Sequence, residues 1–432
     1  MKRILFSTPL IFCLLLSIEV SAQEKMVSME EVQRKGDSIF FEGEALSGFL
    51  IQRHPNDSIK LKAHYENGVR DGVTKIRYAS GKLSYKGNFE NGKKEGELFQ
   101  WYKNGQRSLK AHFKEGKKHG VWKRWYPDGK LKEKGNYKEG KEAGEWRTYH
   151  KNGNLDLVIS YREGERQGKA VRRYPGGEKA FKGHYENGKR VGKWTWWYKN
   201  GQKKEVSTYE EGKRVKGIKR WYRNGQKELE GQYRDGKKHG VFTHWYKSGK
   251  KKERTPFRFG REHGTGKSWY ENDSLRVKGG FRDGKKHGTW IWYYKNGQKK
   301  ERTDYKSGKR HGKSILWNRS GQRMVEVELK NDKEDGRFKQ WFPNGQLRKK
   351  GRYKKGVKHG KWQRWYKNGQ KRRVAHFKDG AIHGHMISWY SNGQKRFEGG
   401  YEMGKEKNVI YDDREDPSDS TKAPSDTSKS DP

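Results

Sequence analysis

Residues 120–144 read Gly120-Val121-Trp122-Lys123-Arg124-Trp125-Tyr126-Pro127-Asp128-Gly129-Lys130-Leu131-Lys132-Glu133-Lys134-Gly135-Asn136-Tyr137-Lys138-Glu139-Gly140-Lys141-Glu142-Ala143-Gly144. Two glycine turns, Pro127-Asp128-Gly129 and Glu139-Gly140-Lys141, cut this stretch into two short segments, residues 121–126 and 131–137. Asn-Gly and Asp-Gly favour type I′ turns, because both central residues need positive φ. A β-hairpin is therefore the simplest reading, and helices are disfavoured by about 1 kcal/mol for each interior glycine.

The same phrasing returns every 24 residues. The glycine of the Tyr-x-Asn-Gly phrase recurs at Gly81, Gly105, Gly129, Gly153 and onward to Gly393, with Asp57 and Asp273 standing in register where glycine is missing. A second phrase, Gly-Lys-x-His-Gly, keeps the same beat from Gly68 to Gly404. About fifteen copies follow without insertion or deletion, and a period of this length signals a repeat array. The predicted fold is all-β: an elongated single-layer antiparallel β-hairpin solenoid.

Composition alone points elsewhere. With 29% hydrophobic residues, 36% charged residues and a net charge of +48, the chain borders on the disordered class. Its aromatics, however, hold fixed phases. One column runs Phe89, Phe113, Tyr137, Tyr161 and on to Tyr401, broken by Leu329. Another runs Trp101, Trp125, Tyr149 and on to Trp389, broken by Arg173. Small residues such as Gly87, Ala111, Gly135 and Gly183 precede the first column by two positions, where a neighbouring ring can lie across bare backbone. These phases predict a thin aromatic core.

The ends differ from the body. Lys2 and Arg3, an apolar run over residues 10–16 and Val20-Ser21-Ala22 predict a secretory signal over residues 1–22. That run is too short for a membrane span. The single cysteine, Cys13, lies inside it, so the expected mature chain has no disulfide and no Cys-based metal site. Residues 23–39 form a lead-in or cap, residues 40–411 the array, and residues 412–432 an acidic, Ser- and Pro-rich disordered tail.

Phrases such as Gly120-Val121-Trp122-Lys123-Arg124-Trp125-Tyr126 and Gly135-Asn136-Tyr137-Lys138-Glu139-Gly140-Lys141 resemble the bacterial variant of the MORN repeat, found in YwqK-family antitoxins. The resemblance covers residues 40–411. It implies a scaffolding or lipid-binding repeat and supplies no catalytic residues.

Two ladders lie outside what a hairpin requires. Basic residues follow the turn glycine at Lys93, Lys117, Lys141, Lys189, Lys213, Lys237, Arg261, Lys285, Lys309 and Lys333. They predict a surface for anionic polysaccharide, lipopolysaccharide or lipid headgroups, with extracellular nucleic acid taken by the same electrostatics. Histidines recur at His119, His239, His263, His287, His311, His359 and His383, a predicted pH-sensitive edge. Equivalent residues two strands apart are about 9 to 10 Å from one another, too far to share a zinc ion. No metal, cofactor or enzyme constellation is expected. Glu326, Glu328, Asp332, Glu334 and Asp335 interrupt the basic pattern as a degenerate copy or a protein contact. The predicted role is an exported, non-enzymatic binding or scaffolding protein of the cell envelope. The alternative is an antitoxin-like immunity factor recognising one protein partner.

Overall fold

The computed structural model describes residues 25–413. The predicted signal over residues 1–22 lies outside them, as does the tail beyond Asp413. Among the described residues there is no helix. Two compact units are present: one holds the described residues up to Gly168 together with Pro175–Gly177, the other Lys169–Tyr174 together with residues from Glu178 onward. In the first, strands from Gly48–Arg53 to Leu155–Arg162 each pair antiparallel with the next in chain order. In the second, strands from Lys179–Glu186 to Lys405–Asp412 do the same. The fold is the unclosed β-hairpin repeat that the glycine beat predicts.

The two turns of each repeat are different objects. At Glu139-Gly140 both residues have positive φ, 49° and 82°, which is the type I′ signature of a two-residue hairpin. Type I′ geometry, expected of Asn-Gly and Asp-Gly pairs, is found at Asn91-Gly92 and Asp235-Gly236 but not at Asp128-Gly129. There only the glycine is left-handed, at 84°. That connection is a five-residue loop closed by Tyr126 N–H to Lys130 C=O (2.8 Å) and by Gly129 N–H to Tyr126 C=O (2.9 Å). Proline at the second position suits such a turn because its ring presets φ.

Asparagine in Tyr-x-Asn-Gly therefore serves through its side chain. Asn104 Oδ1 accepts from Gln106 N–H at 3.0 Å, while its amide donates to Pro127 C=O of the next loop at 2.7 Å. The tyrosine reaches forward too: Tyr102, Tyr126, Tyr222 and Tyr246 donate their hydroxyls to the carbonyls of Trp125, Tyr149, Trp245 and Trp269, at 2.7 to 2.8 Å. Loops that carry these tyrosine and asparagine residues are stapled to their successors by side chains.

The core has a column that the sequence reading did not separate. Trp122, Trp146, Trp194, Phe242, Trp290, Phe338 and Trp362 share one phase, with Leu98, Ile218, Ser314 and Met386. Trp194 and Phe242 are each 1% exposed. Five of these rings, Trp146, Trp194, Phe242, Trp290 and Trp362, lie across a glycine eleven positions earlier, whereas Phe338 faces Val327. A Cβ on Gly135 would meet the Trp146 ring at 2.2 Å, and one on Gly183 the Trp194 ring at 2.1 Å. Real Cβ contacts are never that close, so those glycines make room for a ring. Where the ring shrinks, the partner grows: Ile218 pairs with Ser207, and Ser314 with Thr303 through a 2.8 Å hydrogen bond between hydroxyls. The predicted first column flanks these rings edge-on, as in Tyr185 against Trp194 at 4.9 Å. The second column, from Trp101 to Trp389, is half-buried and offers its carbonyls to the tyrosine staples.

Residues 25–46 pack differently. Met26–Ser28 pairs parallel with Gly48–Arg53, and Val32–Lys35, Ser38–Phe41 and Glu44–Ala45 form a small sheet. Val27, Ile39, Leu46 and Leu50 bury together with Tyr65 of the first hairpins. At the other end, every residue of strand Lys405–Asp412 is exposed.

Candidate binding edge

The ten predicted basic residues, from Lys93 to Lys333, are all exposed and each directly follows a type I′ turn. Several stems lie beside the glycine of the next turn: a Cβ added at Gly116 would stand 3.6 Å from the Cβ of Lys93, and Lys141, Lys189, Lys213, Lys237 and Lys285 are placed likewise beside their next turns. Turn geometry adds what spacing could not. In a two-residue hairpin the residues flanking the turn are cross-strand partners, so each ladder residue faces the residue three positions earlier. From Arg234 onward the pairs are Arg234/Lys237, Arg258/Arg261, Arg282/Lys285, Lys306/Lys309 and Lys330/Lys333. Five successive hairpins thus end in two cations. None of these ten groups has an ion pair among the described residues, and all are exposed.

The next basic phase serves the core instead. Lys118 Nζ sits 4.6 Å from the Trp122 ring and 4.7 Å from Tyr137, and Lys286 Nζ 4.6 Å from Trp290 and 5.0 Å from Tyr305. Lys238 and Lys358 repeat the arrangement over Phe257 and Phe377. Burial, with Arg364 and Arg373 nearby, holds Lys358 below the usual lysine range. Neighbouring lysines of one phrase therefore divide between solvent and ring faces, as cation–π geometry and strand alternation require.

The histidines sit against the following turn. His119, His239, His263, His287, His311 and His383 are half-buried, each with a buried Nδ1 that lacks a hydrogen-bond partner, and His359 is exposed. His119 Nδ1 approaches Glu139 at 3.4 Å and His263 Nδ1 approaches Asp283 at 3.6 Å, neither with hydrogen-bond geometry. The same phase holds Asp71 and Glu95, whose carboxylates accept the turn N–H groups of Asn91 (3.0 Å) and Glu115 (2.7 Å). This phase supports the left-handed residue of the next turn. Among the described residues no three of His, Cys, Asp and Glu converge as metal ligands.

The acidic interruption is largely paired within itself and its neighbours. Glu328 accepts Arg337 N–H at 2.8 Å and its guanidinium at 2.9 Å, and Asp332 binds Arg310 at 3.3 Å. Burial acts to raise Glu328, yet Arg337 and Lys313 outweigh it and hold the carboxyl below its usual range. Leu329 is 6% exposed and fills the place of the missing aromatic.

With this geometry in view, comparison with known proteins adds a likeness within the repeats. Eight stretches match the model of the MORN repeat variant. They are residues 70–91, 118–139, 143–163, 190–211, 238–258, 286–307, 334–355 and 358–379. Most open at the ring-covering basic phase and close at the type I′ turn. No curated protein matches the sequence. Chains in crystal structures of TcdB2-TccC3-TEV and of TcdB2-TccC3 match at 12% and 9% identity, over 88% and 85% of this chain, with TM-scores of 0.15 each. This chain spans only 23% and 27% of theirs. Scores this low establish no shared fold.

Proposed function

We propose that the chain is a non-enzymatic binding protein whose basic hairpin edge, over residues 234–333, takes an anionic polymer or lipid surface. The observation that carries this reading is the run of five hairpins ending in unpaired, exposed like-charge pairs. Like charges directly opposite one another in an antiparallel pair destabilise it by a few tenths to about 1 kcal/mol. Five in succession is an arrangement that an external polyanion relieves. The spacing of successive pairs, about 9 to 10 Å, is close to the Debye length at physiological salt, so the edge presents a line of charge rather than separate points.

Acidic polysaccharide, lipopolysaccharide and anionic headgroups share that chemistry, and the secretory signal expected over residues 1–22 supports a ligand of this kind. Binding of heparin, lipopolysaccharide and acidic vesicles, measured between low and physiological salt, tests the proposal. If the edge neutralises six to ten anionic groups, affinity falls by about 10³ to 10⁵ between 50 and 200 mM salt, as for phosphate contacts. Absence of binding to all three at low salt overturns it.

A further inference from the structure

The same repeat that builds a carboxylate clamp at Glu205 rebuilds it at Glu253 with the clamp's own arms removed. At the first site, Glu205 is 9% exposed. It accepts Ser207 Oγ at 2.9 Å, Arg214 Nη2 at 2.7 Å and Arg220 Nη2 at 2.9 Å. Ile218, 1% exposed, fills the space beside it. Burial acts to raise the Glu205 carboxyl, but Arg220, Ser207 and Arg214 outweigh it and hold the group ionised.

Two repeats later the carboxylate and its hydroxyl are kept. Glu253 accepts Thr255 Oγ1 at 2.7 Å. Everything that completed the clamp has changed: Glu262 stands at the phase of Arg214, Gly266 at that of Ile218 and Ser268 at that of Arg220. Neither Glu253 nor Glu262 has an ion pair among the described residues. The strand itself is broken here, into Arg261–Glu262 and Gly264–Trp269, where the neighbouring repeats carry nine-residue strands. A cavity of about 200 Å³ opens, walled by Phe281 and Trp290 and bordered by Glu253, Glu262, Thr255, Ser268 and Lys267. Arg276, also on its rim, donates to Ser268 Oγ at 3.1 Å.

We propose that this cavity binds a guanidinium carried on an apolar stem, supplied from outside the chain in place of the absent arginines. Carboxylate and guanidinium match in planar, charge-assisted geometry, and the aromatic walls take the stem and the cation's face. The site is distinct from the basic edge and selects the opposite charge. An arginine side chain of a partner protein and a free alkylguanidine carry the same chemistry.

The test is calorimetric titration of the full chain with agmatine, with a short peptide carrying one arginine, and with butylamine. Binding of agmatine with a dissociation constant in the range of ~1 mM or tighter, weakened about tenfold or more in Glu253→Gln, is the expected result. A peptide that binds more tightly than agmatine identifies a protein source, and the reverse identifies a small molecule. The second variant, Glu262→Arg with Gly266→Ile and Ser268→Arg, restores the filled clamp. It should abolish agmatine binding and raise the melting temperature. Agmatine binding that persists in this variant, that is matched by butylamine, or that is absent from the wild-type chain overturns the assignment. Heparin affinity, measured on the same samples, should be unchanged in Glu253→Gln, which separates failure of this site from failure of the basic edge.

Discussion

Each hairpin has two ends, and they solve the same geometric problem by opposite means. The Tyr-x-Asn-Gly loop is long, needs one left-handed residue and fastens itself to the next loop through tyrosine and asparagine side chains. The Gly-Lys turn is short and needs two left-handed residues. It joins its neighbour through backbone, as in Gly140 N–H to Lys118 C=O at 2.8 Å, leaving its flanking side chains free. Stability thus concentrates at one edge and chemistry at the other.

Reversing charge on one side of the free edge tests this division most strongly. Changing Lys237, Arg261, Lys285, Lys309 and Lys333 to Glu converts five like-charge pairs into attractive ones. Polyanion affinity should fall by 10³ or more, while thermal stability holds or rises by about 1 to 3 kcal/mol in total. A loss of fold would place stability at this edge after all. The complementary experiment acts on the stapled edge. Tyr222→Phe with Asn224→Ala removes hydrogen bonds to Trp245 and Lys247, and hydrogen exchange around those loops should report a local loss of about 1 to 3 kcal/mol, with heparin binding intact.

Smaller effects refine the contrast. Asp273 at the stapled loop and Asp332 at the free turn both hold positive φ, 67° and 72°, where the array, Asp57 apart, otherwise uses glycine. Asp273→Gly should stabilise by about 1 kcal/mol, and Asp332→Gly by less, because Asp273 holds only the Lys250 ammonium (3.2 Å) whereas Asp332 holds both the Arg310 guanidinium (3.3 Å) and the Arg310 backbone N–H (2.9 Å). Equal gains would show that the extra backbone hydrogen bond contributes nothing. The smallest effect is acid sensitivity at His244, which burial holds below its ordinary value of 6.5, with Lys238 and Lys252 adding to the shift and Glu253 and Glu228 opposing it. A depressed folded-state value means that the neutral ring is favoured by folding. Its contribution is complete above pH 6.5 and declines as pH falls below that value. His244→Gln should flatten that part of the stability profile, and an unchanged slope would assign it to other groups.

The repeat, its strand content and the exposed lysines were legible because glycine and lysine phases are nearly invariant along the chain. The inner column was not. Its members run from Trp194 to Ser314 and their cross-strand partners from Gly183 to Thr303, so what fits at each position depends on the residue it faces. Such a dependence cannot be seen at one phase alone. The second basic column was hidden for another reason: Arg258 faces Arg261 only once the turn is known to contain two residues. Turn identity itself misled in part, since asparagine serves through its side chain at the Tyr-x-Asn-Gly loop, while at the other turn Asn67, Asn91, Asn187 and Asn331 share the left-handed position with glutamate, aspartate and even Phe259.

The fit of each ring to its bare backbone sets where the chain can be cut and rejoined. Trp146 and Gly135 lie on strands joined by the Glu139-Gly140 turn, so their match is internal to one short hairpin. A rearrangement that breaks within residues 126–130 moves the pair together. One that breaks at Glu139-Gly140 delivers a ring to a neighbour of the wrong size. Duplication and shuffling of such a gene should therefore leave scars at the stapled loops and spare the basic turns.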